Sequence, residues 1–241
     1  MQLAGKTVLV TGGTDGIGAQ LIRQLRDKGA SVITSGRNVE RIAATRADGF
    51  EVIEADLSLH AGVDMLLKAV KGRAIDVLIN NAGAMDNHDF REPGLPDAGA
   101  ADAVIFLNFN APIHLITGMM DQLKSRPAAM IVNVTSGLAI APMAGAPVYC
   151  ATKAALRSYT MALRAQLKDS KVHVLEVLPP VVETKMTAGL TSGKLPVAEC
   201  ARQIVSAIER GADQANVGMV KIMQVLNSIS PAFVRAVMLR F

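Results

Sequence analysis

The chain has 241 residues, 50% of them hydrophobic, with 25 basic and 21 acidic side chains for a net charge of +4; this suits one large α/β domain with a substantial core. The basic residues are spread along the chain without a Lys/Arg block, which argues against a nucleic-acid partner, and no uninterrupted apolar span reaches membrane length. The two cysteines, Cys150 and Cys200, have no CxxC or Cys/His spacing. That argues against zinc and fits a reducing, cytoplasmic setting.

Residues 6–11 form a short β-branched run of the kind buried on both faces of a parallel sheet. Gly12, Gly13, Thr14, Asp15, Gly16, Ile17 and Gly18 follow at once, and Leu21, Ile22 and Leu25 then repeat at helical spacing. Strand, glycine loop and helix start aim bare backbone N–H groups at a pyrophosphate. A second strand, residues 31–35, ends in Gly36-Arg37-Asn38. About 20 residues beyond a glycine loop, an acid holds the ribose of NAD, whereas an arginine meets the 2′-phosphate of NADP. The acid is missing and Arg37 stands there, so NADP(H) is the preferred cofactor and NAD(H) the alternative. Asp15 complicates that preference, because a carboxylate in the loop would repel the phosphate.

Residues 50–54 read as strand three, ending at Asp56-Leu57; residues 61–70 read as a helix; and residues 75–79 read as strand four, running into Asn80-Asn81-Ala82-Gly83. A polar loop with a poorly formed helix is expected over 85–101. A long helix over 102–123 follows, carrying Asn108 and Asn110. Strand five covers 130–134, a helix 147–167 and strand six 172–178, closed by Pro179-Pro180. Residues 181–196 suit a mobile lid, residues 197–211 a helix, and residues 218–223 a seventh, edge strand. In the tail, Val225, Ile229, Phe233 and Val237 repeat every four residues around Pro231. The tail is expected to pack on a neighbouring subunit or over the substrate pocket, with a membrane-surface anchor as the rival. The alternation predicts a single-domain, doubly wound parallel sheet of Rossmann type, with about seven strands, helices on both faces and its ligand at the carboxyl ends of the strands.

One stretch carries the chemistry. Tyr149 and Lys153 share a helix face at i and i+4, and Ser136 leaves the end of strand five. A cation about 4 Å from a phenol, at an effective dielectric of about 20, favours the phenolate by roughly 4 kcal/mol before dehydration is counted. This is expected to lower the Tyr149 pKa towards neutrality, making the trio an alcohol/carbonyl site. Met186, Leu190, Leu195, Leu138, Ile140 and Met143 suggest an apolar substrate pocket.

With these motifs in place, the chain resembles the short-chain dehydrogenase/reductase family over nearly its whole length: the Thr11-Gly12…Gly16-Ile17-Gly18 loop, the Asn80–Gly83 turn, and Ser136 with Tyr149 and Lys153. The resemblance implies an NAD(P)-dependent oxidoreductase acting on a small alcohol or carbonyl compound, assembled as a homodimer or homotetramer. It assigns Tyr149 as proton donor or acceptor, Ser136 as carbonyl orienter, and Lys153 as ribose clamp and the group that lowers the tyrosine pKa. Asn108, rather than Asn110, would hold a relay water; Asp56 would contact adenine; and Val182 and Thr184 would meet the nicotinamide amide beside Pro179. Leu57, Asn81, Ala82 and Gly83 would complete the cofactor wall. Pro179-Pro180 replaces the family's Pro-Gly pair, as in a DltE-like bacterial subgroup. A non-catalytic NADP(H)-binding sensor or scaffold is the alternative reading.

Overall fold

The computed structural model describes residues 1–85, 90, 97–189 and 193–241. Its parallel sheet has the order β3-β2-β1-β4-β5-β6-β7. The strands are β1 (Thr7–Thr11), β2 (Ser31–Gly36), β3 (Glu51–Glu54), β4 (Val77–Asn80), β5 (Ala129–Val134), β6 (Val172–Leu178) and β7 (Gln214–Asn216). Five of them are β-branched or apolar runs buried on both faces, the requirement for a parallel sheet covered by helices. Strand order reverses at β1, which lies between β2 and β4. That switch point opens a crevice at the carboxyl ends.

The helices are α1 (Gly16–Asp27), α2 (Val39–Ala47), α3 (His60–Val70), α4 (Ala98–Ile105), α5 (Ala111–Lys124), α6 (Pro147–Gln166), α7 (Val197–Arg210), α8 (Val220–Ile229) and α9 (Pro231–Met238). One core layer joins the sheet to Leu21, Ile22 and Leu25 of α1 and Ile204, Val205 and Ile208 of α7. The other joins its opposite face to Val63 and Leu66 of α3, Leu115, Ile116 and Met119 of α5 and Leu163 of α6.

Several expectations are revised. The expected 102–123 helix is the Ala98–Lys124 rod, which is long and apolar enough by composition to cross a membrane, although Leu107, Leu115, Met119 and Leu123 on one side are buried in the core. A π-helical turn at Phe106–Asn110 interrupts it; such insertions re-aim side chains and often mark functional sites. The seventh strand is Gln214–Asn216, paired with Glu176–Leu178, rather than 218–223. Gly218 adopts φ +54, which turns the chain, and the apolar residues after it coil into α8. Pro231 occupies the first turn of α9, capped by the Ser230 side chain, so the tail is two helices. Val220 and Met223 border Gly137 and Phe241 O accepts from Gly145 N, while Ile222, Val225, Ile229 and Phe233 face outward. Most of the 85–101 loop, and Leu190 in the lid, lie outside the described residues.

A line of buried polar side chains runs from β4 through β5 to the underside of α6. Asn80 Nδ2 donates to Asn133 Oδ1 at 2.8 Å, and Asn133 Nδ2 donates to Thr160 Oγ1 at 2.9 Å. All three residues are buried. Asn133→Leu would strand the Asn80 amide, and an orphaned buried donor costs about 1–3 kcal/mol. The expected result is a lower urea midpoint; an unchanged midpoint would show that the line contributes nothing to stability.

Candidate active site

At the switch point a cleft of about 340 Å³ runs from the β1–α1 loop to α6. Its first wall is the glycine loop. A β-carbon on Gly18 would stand 2.2 Å from Gly12 O, so only glycine lets the start of α1 close against the loop. Thr34 Oγ1 accepts from Gly13 N at 2.9 Å and donates to Val10 O at 2.7 Å. Thr11 Oγ1 accepts from Asn81 N and Ala82 N, each at 3.0 Å. The loop and the Asn80–Gly83 turn are therefore held as one cradle, with Thr14, Gly16, Ile17, Gly83 and Leu57 also on its walls.

Polar side chains gather at the β2 end. Arg37 Nη1 lies 3.3 Å from Asp56 Oδ2, and Asp56 Oδ1 also accepts from Ser58 Oγ at 2.7 Å. Asp15 caps α1 by accepting from Gly16 N at 2.9 Å and pairs with Arg41 Nη1 at 2.6 Å. The concern that Asp15 repels an anion is thus answered by a neighbour that sequence reasoning missed. Arg41 follows the Asn38 cap of α2 and lines the cleft. Its signal was the cap itself, which starts a helix whose first turn faces the glycine loop. Ser35 Oγ, also on the cleft wall, is buried with no hydrogen-bond partner among the described residues.

Ser136, Tyr149 and Lys153 meet at the other end. Ser136 stands against the Tyr149 phenol and opposes the rise in its pKa, and its Oγ accepts from Leu138 N at 3.1 Å. Lys153, only 4% exposed, donates from Nζ to Val134 O at 3.0 Å, with Nζ 5.7 Å from the Tyr149 ring centre. The expected lowering of the phenol pKa is overturned. Burial pushes Tyr149 up to about 12, with only Ser136 opposing it among the main causes. Burial also pulls Lys153 down to about 8. The phenol is protonated at neutral pH, as an ordinary tyrosine is, and dehydration makes it harder still to ionise.

Asn108 sits in the π turn with 0% exposure. Its Oδ1 accepts from Ala84 N at 2.9 Å, and its Nδ2 donates to Ala84 O at 2.8 Å and Thr152 Oγ1 at 3.1 Å. Asn108 Oδ1 and Lys153 Nζ both border Gly83. Asn110 is not on the cleft wall; Pro179, Val182 and Thr184 are. The base of the lid is closed by a bridge between Val182 and Leu195, and Thr184 borders Gly16. Of the apolar pocket residues, Met186 lines the cleft, whereas Leu195, Leu138, Ile140 and Met143 do not.

The chain matches the family profile described as short chain dehydrogenase over residues 6–195. It is 36% identical over 224 residues to the uncharacterized oxidoreductase DltE of Bacillus subtilis, covering 89% of this chain and 88% of that one. A short chain dehydrogenase from Burkholderia cenocepacia, solved in complex with NADP, superposes with a TM-score of 0.88 at 28% identity and covers 99% of both chains. A second, from Sphingobium yanoikuyae in complex with NADPH, gives 0.83 at 25% identity over 95% of this chain and 94% of that one.

Proposed function

Since the chain belongs to the short-chain dehydrogenase/reductase family, we propose that it interconverts a carbonyl and an alcohol by hydride transfer, with NADP(H) preferred and NAD(H) possible. The observation that carries this reading is one cleft whose walls hold both a glycine cradle and Ser136, Tyr149 and Lys153. A sensor needs the cradle alone.

The residues present fit the cofactor. Gly12, Thr14, Gly16, Ile17 and Gly18 present backbone to a pyrophosphate at the start of α1, and the unpartnered Ser35 hydroxyl lies on the same wall. Arg37 and Arg41 would take the 2′-phosphate, displacing or sharing Asp56 and Asp15. Asp56 and Leu57 would flank the adenine. Asn81, Ala82, Gly83 and Pro179 would line the path to the nicotinamide, whose amide would meet Val182 and Thr184. Lys153 would hold the ribose. The solved relatives that carry NADP and NADPH support the same preference.

When bound, the cofactor supplies or accepts hydride at its nicotinamide ring. Tyr149, protonated at neutral pH, is poised as the acid that gives its proton to a carbonyl oxygen. Ser136 donates to the same oxygen and orients it. Lys153 keeps an ammonium near the phenol below about pH 8, favouring the phenolate that forms as the proton leaves. Asn108 fixes the Ala84 backbone and Thr152 behind Lys153, where a relay that refills the phenol would run.

Tyr149→Phe is expected to lower kcat for NADPH oxidation across an aldehyde and ketone panel by about 100- to 10,000-fold, with NADPH Kd unchanged. Lys153→Met should lower both affinity and rate. Near-full turnover in Tyr149→Phe would refute the mechanism. Cofactor choice has its own test: Arg37→Ala and Arg41→Ala should each weaken NADPH by about 10- to 100-fold, the worth of a charged hydrogen bond, and leave NADH nearly unaffected. Equal NADPH and NADH dissociation constants in the unmodified protein would contradict it.

A further inference from the structure

Glu176 is a carboxylate with 0% exposure on β6, the strand next to the β7 edge of the sheet, outside the cleft wall and unused in the chemistry above. Its Oε1 lies 3.0 Å from Thr135 Oγ1, whose single hydroxyl hydrogen it shares with Val177 O, also at 3.0 Å, and its Oε2 accepts from Arg157 Nη1 at 2.8 Å. Burial pushes its pKa up, and Arg157 and the nearby Arg164 pull it back. A buried ion pair is a poor stabiliser: well-packed apolar residues of the same volume often serve the fold as well or better. Stability is therefore a weak explanation for this pair, and its placement offers a stronger one. Thr135 directly precedes Ser136. Arg157 lies on α6 four positions after Lys153, which is itself four after Tyr149, so all three share one helix face. The carboxylate thus joins, through separate oxygens, the end of the strand that carries Ser136 to the helix that carries Tyr149.

We propose that Glu176, acting through Thr135 and Arg157, is a positioning residue that sets the height of α6 over β5 at which Tyr149 reaches Ser136. Apolar contacts between a helix and a sheet tolerate small slides, whereas a directional, charge-assisted hydrogen bond such as Arg157–Glu176, seated on a carboxylate that also meets Thr135, resists them. A displacement of about 1 Å at a reacting pair costs about 100-fold in rate, and the bridge restrains a displacement of that kind. The proposal rests on the enzyme reading above only for its effect on turnover; its geometric claim stands apart from it.

The test uses the Glu176→Gln/Arg157→Met double variant, which removes both buried charges and leaves no uncompensated ion. It is expected to fold cooperatively and to bind NADPH with unchanged Kd. In crystals, the Tyr149 Oη–Ser136 Oγ separation should lie within hydrogen-bond reach in the unmodified protein and beyond about 3.5 Å in the variant. With whichever aldehyde or ketone of the panel the unmodified protein turns over fastest, kcat should fall about 10- to 100-fold at constant NADPH affinity. Arg157→Lys, which keeps a cation for Glu176, should recover rate relative to Arg157→Met. A folded double variant with the pair intact in crystals overturns the proposal, whatever its rate. If the unmodified protein has no turnover that Tyr149→Phe abolishes, the enzyme reading fails, and the crystallographic separation alone decides the role of Glu176.

Discussion

The site depends on how α6 is held against β5. Apolar packing brings the helix to the sheet, since Leu156 and Leu163 are buried beneath it, but the contacts that fix its position are polar and directional. Lys153 reaches Val134 O, Arg157 reaches Glu176, Thr160 receives Asn133 and Thr152 receives Asn108. Each lies within a turn or two of the next along one face of α6. The four contacts tie the helix to β5, β6 and the π turn at once, so Tyr149 projects over Ser136 from a helix that has little freedom to slide. Each polar group buried in this seam would be costly without its partner, which makes the arrangement all-or-none.

Dehydration is the second consequence of that seam. The same burial that fixes Lys153 weakens its hold on a proton, to about 8, and it raises the phenol to about 12. Burial thus drives the two pKa values apart, the phenol upward and the ammonium downward, so at neutral pH Tyr149 is neutral and protonated while Lys153 still carries most of its charge. The resting state therefore suits carbonyl reduction, in which the phenol begins protonated. Alcohol oxidation requires the phenolate and so requires a further favourable charge in the cleft.

Much of the architecture was legible in the sequence because parallel strands buried on both faces are short β-branched runs; β5 and β6 read directly as Met130–Val134 and Val172–Leu178. The glycine loop and the Ser136, Tyr149 and Lys153 set were legible because their spacings are local. What was missed depends on partners distant in the chain. Gln214–Asn216 is polar and becomes a strand only because β6 offers an edge to pair with. Arg41 matters because α2 packs its first turn towards the glycine loop, and Glu176 because Thr135 and Arg157 converge on it. The direction of the Tyr149 shift was misjudged for the same reason: helix spacing places a cation beside the phenol, but burial and the competing Val134 carbonyl are properties of the assembled fold.

Dehydration, rather than the neighbouring ammonium, sets the direction in which the Tyr149 pKa moves. The chain has two tyrosines and no tryptophan, so in a Tyr159→Phe background the rise of tyrosinate absorbance with pH reports Tyr149 alone. If dehydration governs the phenol, the midpoint in the cofactor-free protein lies at about 12. A midpoint at or below the ordinary value of 10.0 would contradict it, and would mean that Lys153 governs the phenol after all.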